Sequence, residues 1–171
     1  MNNRYLKART LARAKHKGQL YGDIPYYIHL EAVARLASPF GTDAMIVAQL
    51  HDTVEDTDTT ISELVGDFGF IVADAVSYIT DSKLSDRYLR KVNQNERLAS
   101  LNVDEESARI ALIVKACDRL ANVRASRHGE QKYYQIYQQE HTDFKRAVYR
   151  HGLCEAIWWE LDNLLRYSEA S

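Results

Sequence analysis

Residues 111–123 read Ala-Leu-Ile-Val-Lys-Ala-Cys-Asp-Arg-Leu-Ala-Asn-Val, which wound as a helix is apolar almost all round. A helix with that pattern has no solvent face and belongs in the middle of a bundle. Asp104, Glu105 and Glu106 precede it and suit the positive end of a helix dipole, so a helix is predicted over 104–125. This central helix nevertheless carries Lys115, Asp118, Arg119 and Asn122. A carboxylate among such neighbours is costly unless it is paired or coordinates a metal. Asp118 and Asn122 are four positions apart and face the same way. An internal Asp–Arg salt bridge with Asn122 bonded to it, and metal ligation by Asp118, both stay open.

Outward from this helix, only two prolines and seven glycines punctuate the chain, and no alternating strand pattern stands out. The fold class is therefore all-α. A first helix is predicted over 4–17, with Leu6, Leu11 and Ala14 as its apolar stripe and Gly18 as its stop. After a loop, Pro25 can begin a second helix over 26–37, whose apolar face is Ile28, Ala32, Val33 and Leu36. His29 lies beside that face, as a satisfied core histidine or as a ligand. Thr42 or Asp43 is expected to cap a third helix that reaches His51 and frays near Asp56. Thr60 and Glu63 have the capping-box form and open a short helix closed by Phe68-Gly69. Ile71 to Ile79 is a further apolar helix. The polar stretch 80–100 holds Lys83, Arg87, Arg90, Lys91 and Arg97, mostly solvated cations of which a phosphate ligand would need two or three. From residue 130 the chain is helical and amphipathic, and Tyr133, Tyr134, Tyr137, Phe144, Tyr149, Trp158 and Trp159 read as packing residues. His128, His141 and His151 share no ligand spacing.

A chain of 171 residues forms one domain with a proper core. Net charge is −2 with no basic run, which argues against a nucleic acid as partner. No apolar segment approaches membrane-spanning length, and the first residues have no apolar signal core. Cys117 and Cys154 fall in apolar helical stretches and read as buried reduced thiols. A cytoplasmic protein is expected.

Residues 51–57, His-Asp-Thr-Val-Glu-Asp-Thr, place four ionisable side chains at the end of an apolar helix. On a helix His51 and Glu55 are four apart and Asp52 and Glu55 three apart, so they share a face. A solvated acidic helix end is the bland alternative. Yet His29, the pair His51-Asp52, and Asp118 come from three helices, each on or beside an apolar face. A divalent cation at a common centre satisfies all of them and suits their nitrogen and oxygen donors.

This set, His, then His-Asp, then a distant Asp, resembles the HD phosphohydrolase superfamily. Within it, His51 to Thr60 resembles the core motif of the hydrolase domains of RelA/SpoT homologues and of the small alarmone hydrolases. Pro25-Tyr26-Tyr27-Ile28-His29 resembles their Pro-Tyr-x-x-His, and Lys115 to Arg124 resembles their Lys-Leu-Ala-Asp-Arg-Leu-x-Asn-x-Arg. The likeness covers a motif-bearing core of about residues 10–126, with packing helices at about 130–168 in the same 1–171 domain.

The resemblance implies an HD-domain helical bundle and a manganese-dependent hydrolase. Its reaction removes the 3′-pyrophosphate of guanosine tetra- or pentaphosphate by attack of a water that the single cation activates. It places the metal ligands on His29, His51, Asp52 and Asp118, and the catalytic pair on Glu55 and Asp56. Asn122 is expected on the nucleotide or its ribose, with Arg87, Lys115 and Arg124 as weaker candidates for phosphate. The chain also departs from the family. An Arg-Lys pair that usually precedes Pro-Tyr is here Leu20 and Tyr21, where Tyr21 offers a ring for a base, and the threonine often found after Asn-x-Arg is Ala125. The alternatives are an HD phosphohydrolase acting on another nucleotide or dinucleotide, and a nucleotide-binding regulatory protein without significant turnover. A homodimer stays open.

Overall fold

The structure is a computed structural model that describes residues 3–82, 86–127, 129 and 131–166. Lys83 and His128 lie outside the described residues. Ten α-helices account for most of those described: α1 (Asn3–Lys15), α2 (Tyr27–Ala37), α3 (Thr42–Leu50), α4 (Thr53–Asp56), α5 (Ile61–Phe68), α6 (Phe70–Ile79), α7 (Arg87–Ala99), α8 (Glu106–Ser126), α9 (Gln131–Val148) and α10 (Glu155–Leu165). The helix expected at 104–125 is α8, and it sits where its pattern puts it. It packs against α2, α3, α6, α9 and α10. Thirteen of its side chains are buried, among them Leu112, Val114, Ala116, Cys117, Leu120 and Val123. The all-α fold follows from that one continuous apolar helix needing cover on every side. Among the described residues no helix is long and apolar enough to cross a membrane. Cys117 and Cys154 are buried free thiols.

Several local expectations are corrected. α1 ends at Lys15 and buries Ala8 and Ala12 rather than a stripe of Leu6, Leu11 and Ala14. Small side chains let its backbone approach α3 closely, while Arg9 and Arg13 both reach Glu31 of α2. The loop before α2 contains a hairpin, β1 (Leu20–Tyr21) and β2 (Ile24–Pro25), turning through Gly22 at φ 58°. Two residues per strand leave no alternation to read. Pro25 ends this hairpin instead of starting the helix. The buried face of α2 is His29, Leu30, Val33, Ala34 and Ala37, so His29 lies in the core face itself. Ile28, Ala32 and Leu36 turn instead toward a cavity.

Gly41, at φ 103°, precedes α3 in place of a Thr42 or Asp43 cap; an L side chain would be strained there. The third helix stops at Leu50, passes through His51 and Asp52 in right-handed helical angles, and resumes as the single turn α4. Thr60 and Glu63 form the full capping box of α5. The polar stretch folds as α7, capped by Asp86. Phe144 and Trp158 pack in the core, but Trp159 and Tyr133 are exposed.

Candidate metal centre

Three elements meet to form the site. The buried face of α2 supplies His29, the step between α3 and α4 supplies His51 and Asp52, and the middle of α8 supplies Asp118. His29, His51 and Asp118 each present a donor atom, and these atoms lie within 4.8 Å of one another. His29 Nε2 stands 3.2 Å from Asp118 Oδ1, and His51 Nε2 stands 3.5 Å from the same oxygen. Asp52 Oδ2 completes the cluster at 2.9 Å from His51 Nε2 and 3.9 Å from His29 Nε2. The alternative of an Asp118–Arg119 bridge is not what forms. Arg119 leaves for Glu140 of α9 at 2.9 Å, its guanidinium lying over Tyr137 and Phe144.

The tautomer of His51 shows what this cluster fits. Its Nδ1 is 2.8 Å from the carbonyl of Ala48, which can only accept, so Nδ1 carries the proton. In the neutral ring Nε2 is then a lone pair, buried and without a hydrogen-bond partner, facing two carboxylates. That arrangement is repulsive unless a positive charge sits on the ring or between the groups. Burial opposes a charged His51, yet Asp52 and Asp118 outweigh it and hold the ring well above the usual histidine range. Burial likewise opposes ionised Asp118 and Asp52. The histidines, with Lys115 beside Asp118, reverse this and keep both carboxyls well below the usual range. Two imidazole nitrogens and two carboxylates converging on one point form a donor set suited to a divalent cation.

Neighbouring groups hold these side chains. Tyr26 donates its hydroxyl to Asp52 Oδ2, and its ring stacks on His16, with centroids 4.8 Å apart. Asn122 donates to Asp118 Oδ1 at 2.7 Å, and Lys115 Nζ stands 3.6 Å from Asp118 Oδ2. Tyr21 belongs to the site but meets no open space for a base on the His29 side, because it lies against the His29 ring. Glu55 accepts from the backbone N–H of Asp81 at 2.9 Å. Partial burial raises its carboxyl above the ordinary value, and the Asp81 and Asp52 charges add to that against the Asp81 N–H. Asp56 is exposed and turned to Gln19 Nε2 at 3.2 Å.

Two of the phosphate candidates go elsewhere. Arg87 binds Glu140 of α9, at 2.9 and 3.1 Å, and Arg124 makes a two-pronged bond to Glu160 of α10 at 2.7 Å. Arg124 also edges a cavity of about 270 Å³ beside His29, lined with Tyr21, Ile24, Ile28, Leu36 and Arg35. Lys91, expected among solvated cations, is largely enclosed and binds Asp81 at 2.8 Å. Its burial, reinforced by the nearby Lys115, lowers its pKa despite Asp81. Sequence reasoning missed Tyr26, Asp81 and Lys91 as site residues. Tyr26 stands in the Pro-Tyr-x-x-His pattern and Lys91 among the cations of the polar stretch, whereas Asp81, before α7, carries no signal because it meets Glu55 through its backbone N–H.

The chain is similar to known proteins along most of its length. The guanosine-3′,5′-bis(diphosphate) 3′-pyrophosphohydrolase MESH1 of Danio rerio is 38% identical over 126 residues, 70% of this chain and 67% of that protein. Its Homo sapiens counterpart is 36% identical over 146 residues, 76% of this chain and 78% of that protein. A GTP pyrophosphokinase of Streptomyces coelicolor is 31% identical over 163 residues, which are 92% of this chain and 19% of that much longer protein. Among solved structures, a metazoan orthologue of SpoT that hydrolyses ppGpp superposes with a TM-score of 0.79, covering 95% of this chain and 96% of that one at 24% identity. That likeness shows the fold. No family model matches the chain.

Proposed function

Because the chain belongs to the family of guanosine-3′,5′-bis(diphosphate) 3′-pyrophosphohydrolases, we propose that it is a metal-dependent hydrolase that removes the 3′-pyrophosphate of guanosine tetra- or pentaphosphate. Water adds to the phosphorus next to the 3′ oxygen, the bond to that oxygen breaks, and pyrophosphate leaves with a nucleotide bearing a 3′-hydroxyl. The observation that carries this reading is the buried, unpartnered Nε2 of His51 among His29, Asp52 and Asp118. These four are the proposed ligands, and manganese is the proposed ion, as the family resemblance implies. A divalent cation held there supplies Lewis acidity at a phosphoryl oxygen and makes water a nucleophile near neutral pH.

The chain's own residues do the rest. Glu55, fixed by the Asp81 N–H, orients the attacking water and takes its proton; its raised pKa brings it closer to working pH. Asp56, braced by Gln19, shares the proton handling. Lys115 and Lys91 place positive charge beside Asp118 and Asp81 and suit the phosphate groups. The cavity beside His29, apolar with Arg35 and Arg124 in its lining, suits a nucleobase. A cytoplasmic location agrees with the two buried free thiols.

A second reading, an enzyme of the same chemistry acting on another nucleotide, is favoured by Leu20 and Tyr21 standing where the family resemblance implies an Arg-Lys pair. Incubating the purified protein with Mn²⁺ and a panel of nucleotides separates the two. Pyrophosphate release from guanosine tetraphosphate supports the first, and turnover of other nucleotides alone sinks it. Tight nucleotide binding with no Mn²⁺-dependent turnover would instead make it a regulatory binding protein.

A further inference from the structure

Tyr21, on the hairpin before α2, touches the metal centre in two ways at once. Its ring lies flat on the His29 ring, with centroids 4.8 Å apart and planes 5° from parallel. Its hydroxyl donates to Asn122 Oδ1 at 2.6 Å, and the Asn122 amide donates onward to Asp118 Oδ1 at 2.7 Å. The direction of this chain is fixed, since neither an amide oxygen nor a carboxylate can donate. Tyr26 makes an edge-to-face contact with the same His29 ring, with centroids 5.7 Å apart and planes at 66°. His29 is therefore held between Tyr21 of the hairpin and Tyr26 at the start of α2.

Resting on the metal-hydrolase reading above, we propose that Tyr21 is a positioning residue of the metal centre, fixing the ring plane of His29 by stacking and the carboxylate of Asp118 through Asn122. Neither contact needs a nucleotide. A phenol suits both tasks because it joins a flat apolar face to a donor at its far edge, which neither leucine nor lysine does. Partners that orient a metal's ligands typically account for 10–100-fold in affinity. Asn122 gives one lone pair to Tyr21 and one amide N–H to Asp118, which leaves it a second N–H and a second lone pair. The two bonds it makes assign it to the ligand scaffold in the nucleotide-free protein.

The test is calorimetric titration of Mn²⁺ alone into the wild-type protein and into Tyr21→Phe, Tyr21→Leu, Asn122→Ala and the Tyr21→Phe/Asn122→Ala double variant. Thermal melts of each confirm that it is folded. Tyr21→Phe loses a single oxygen atom, so it keeps the test alive if Tyr21→Leu fails to fold. Mn²⁺ binding should weaken about tenfold in Tyr21→Phe and further in Tyr21→Leu. The double variant should bind no more weakly than Asn122→Ala, because the hydroxyl acts only through that amide. Saturating Mn²⁺ should restore most of the turnover that Tyr21→Phe loses at limiting Mn²⁺, as a residue acting through the metal's ligands requires. Equal Mn²⁺ binding by wild type and both Tyr21 variants, with a raised KM in Tyr21→Leu, would make Tyr21 a substrate-stacking residue and overturn the proposal. Fully additive losses in the double variant overturn the Asn122 route. A wild-type protein that takes up no Mn²⁺ sinks the metal reading of the whole site, a different failure.

Discussion

His51 Nε2 lies 2.9 Å from Asp52 Oδ2, and His141 Nε2 lies 2.9 Å from Asp162 Oδ1. The second contact is an ordinary hydrogen bond between α9 and α10, in which Nε2–H donates to the carboxylate. Lys145 takes the other Asp162 oxygen at 2.6 Å, so one anion already has a cation and a donor. At His51 the Nδ1 proton is committed to Ala48, so at the same 2.9 Å Nε2 can meet Asp52 only as a second N–H of a charged ring or as a lone pair with a cation between the two groups. A second carboxylate, Asp118, and a second imidazole, His29, point at the same spot. A His–Asp distance alone therefore does not identify a metal site. The number of imidazoles and carboxylates converging on one buried point does.

Removing one carboxylate from each cluster should give the largest contrast. Asp118→Ala is expected to abolish Mn²⁺ retention through gel filtration, read as metal content by mass spectrometry. Asp162→Ala should retain the wild-type content, and an equal loss there would collapse the distinction between the clusters. The next effect separates ligand from base within the first cluster. Glu55→Gln should keep its Mn²⁺ while turnover falls by about 10²–10⁴-fold, the usual contribution of a positioned general base. A fully active Glu55→Gln enzyme removes Glu55 from the chemistry and leaves the ligands untouched.

The two clusters also differ in how far the sequence reveals them. Asp118 is legible because a carboxylate in the apolar run 111–123 needs an explanation, and His51-Asp52 because it closes another apolar helix. His29 is legible only as a candidate. Its helix is apolar on two sides, so Ile28, Ala32 and Leu36 look like the core stripe when they in fact face a cavity. Nothing local ties position 29 to position 118; their meeting follows only from the cost of burying polar groups on three separate helices, and family resemblance adds the role of each. The supports were out of reach for want of any local tie: Tyr21 and Asn122 are 101 positions apart, and Asp81 acts through its backbone N–H rather than its side chain. His141 and Asp162 belong to different helices at no repeated spacing, and their pairing depends on how α9 meets α10.

The smallest effect concerns charge in that second cluster. Burial alone would raise the Asp162 carboxyl, but Lys145 and His141 outweigh it and hold its pKa below the ordinary value. A depressed pKa means the folded protein takes up this proton less readily than the unfolded chain. The pair therefore contributes stability above the unfolded value of about 3.9 and loses it as pH falls through the folded one. Asp162→Asn should be less stable than wild type near neutral pH, with the difference closing in acid. About a third of the Asp162 side chain is exposed, and solvent screening keeps the loss under about 1 kcal/mol. Urea denaturation of both proteins, in steps from about pH 7 to about pH 3, reads this directly. A difference that persists unchanged into acid assigns Asp162 to packing rather than charge. A difference that appears only when Mn²⁺ is added would give this cluster a cation after all, and the tautomer of His141 would then have to be the reverse of the one its hydrogen bond to Asp162 requires.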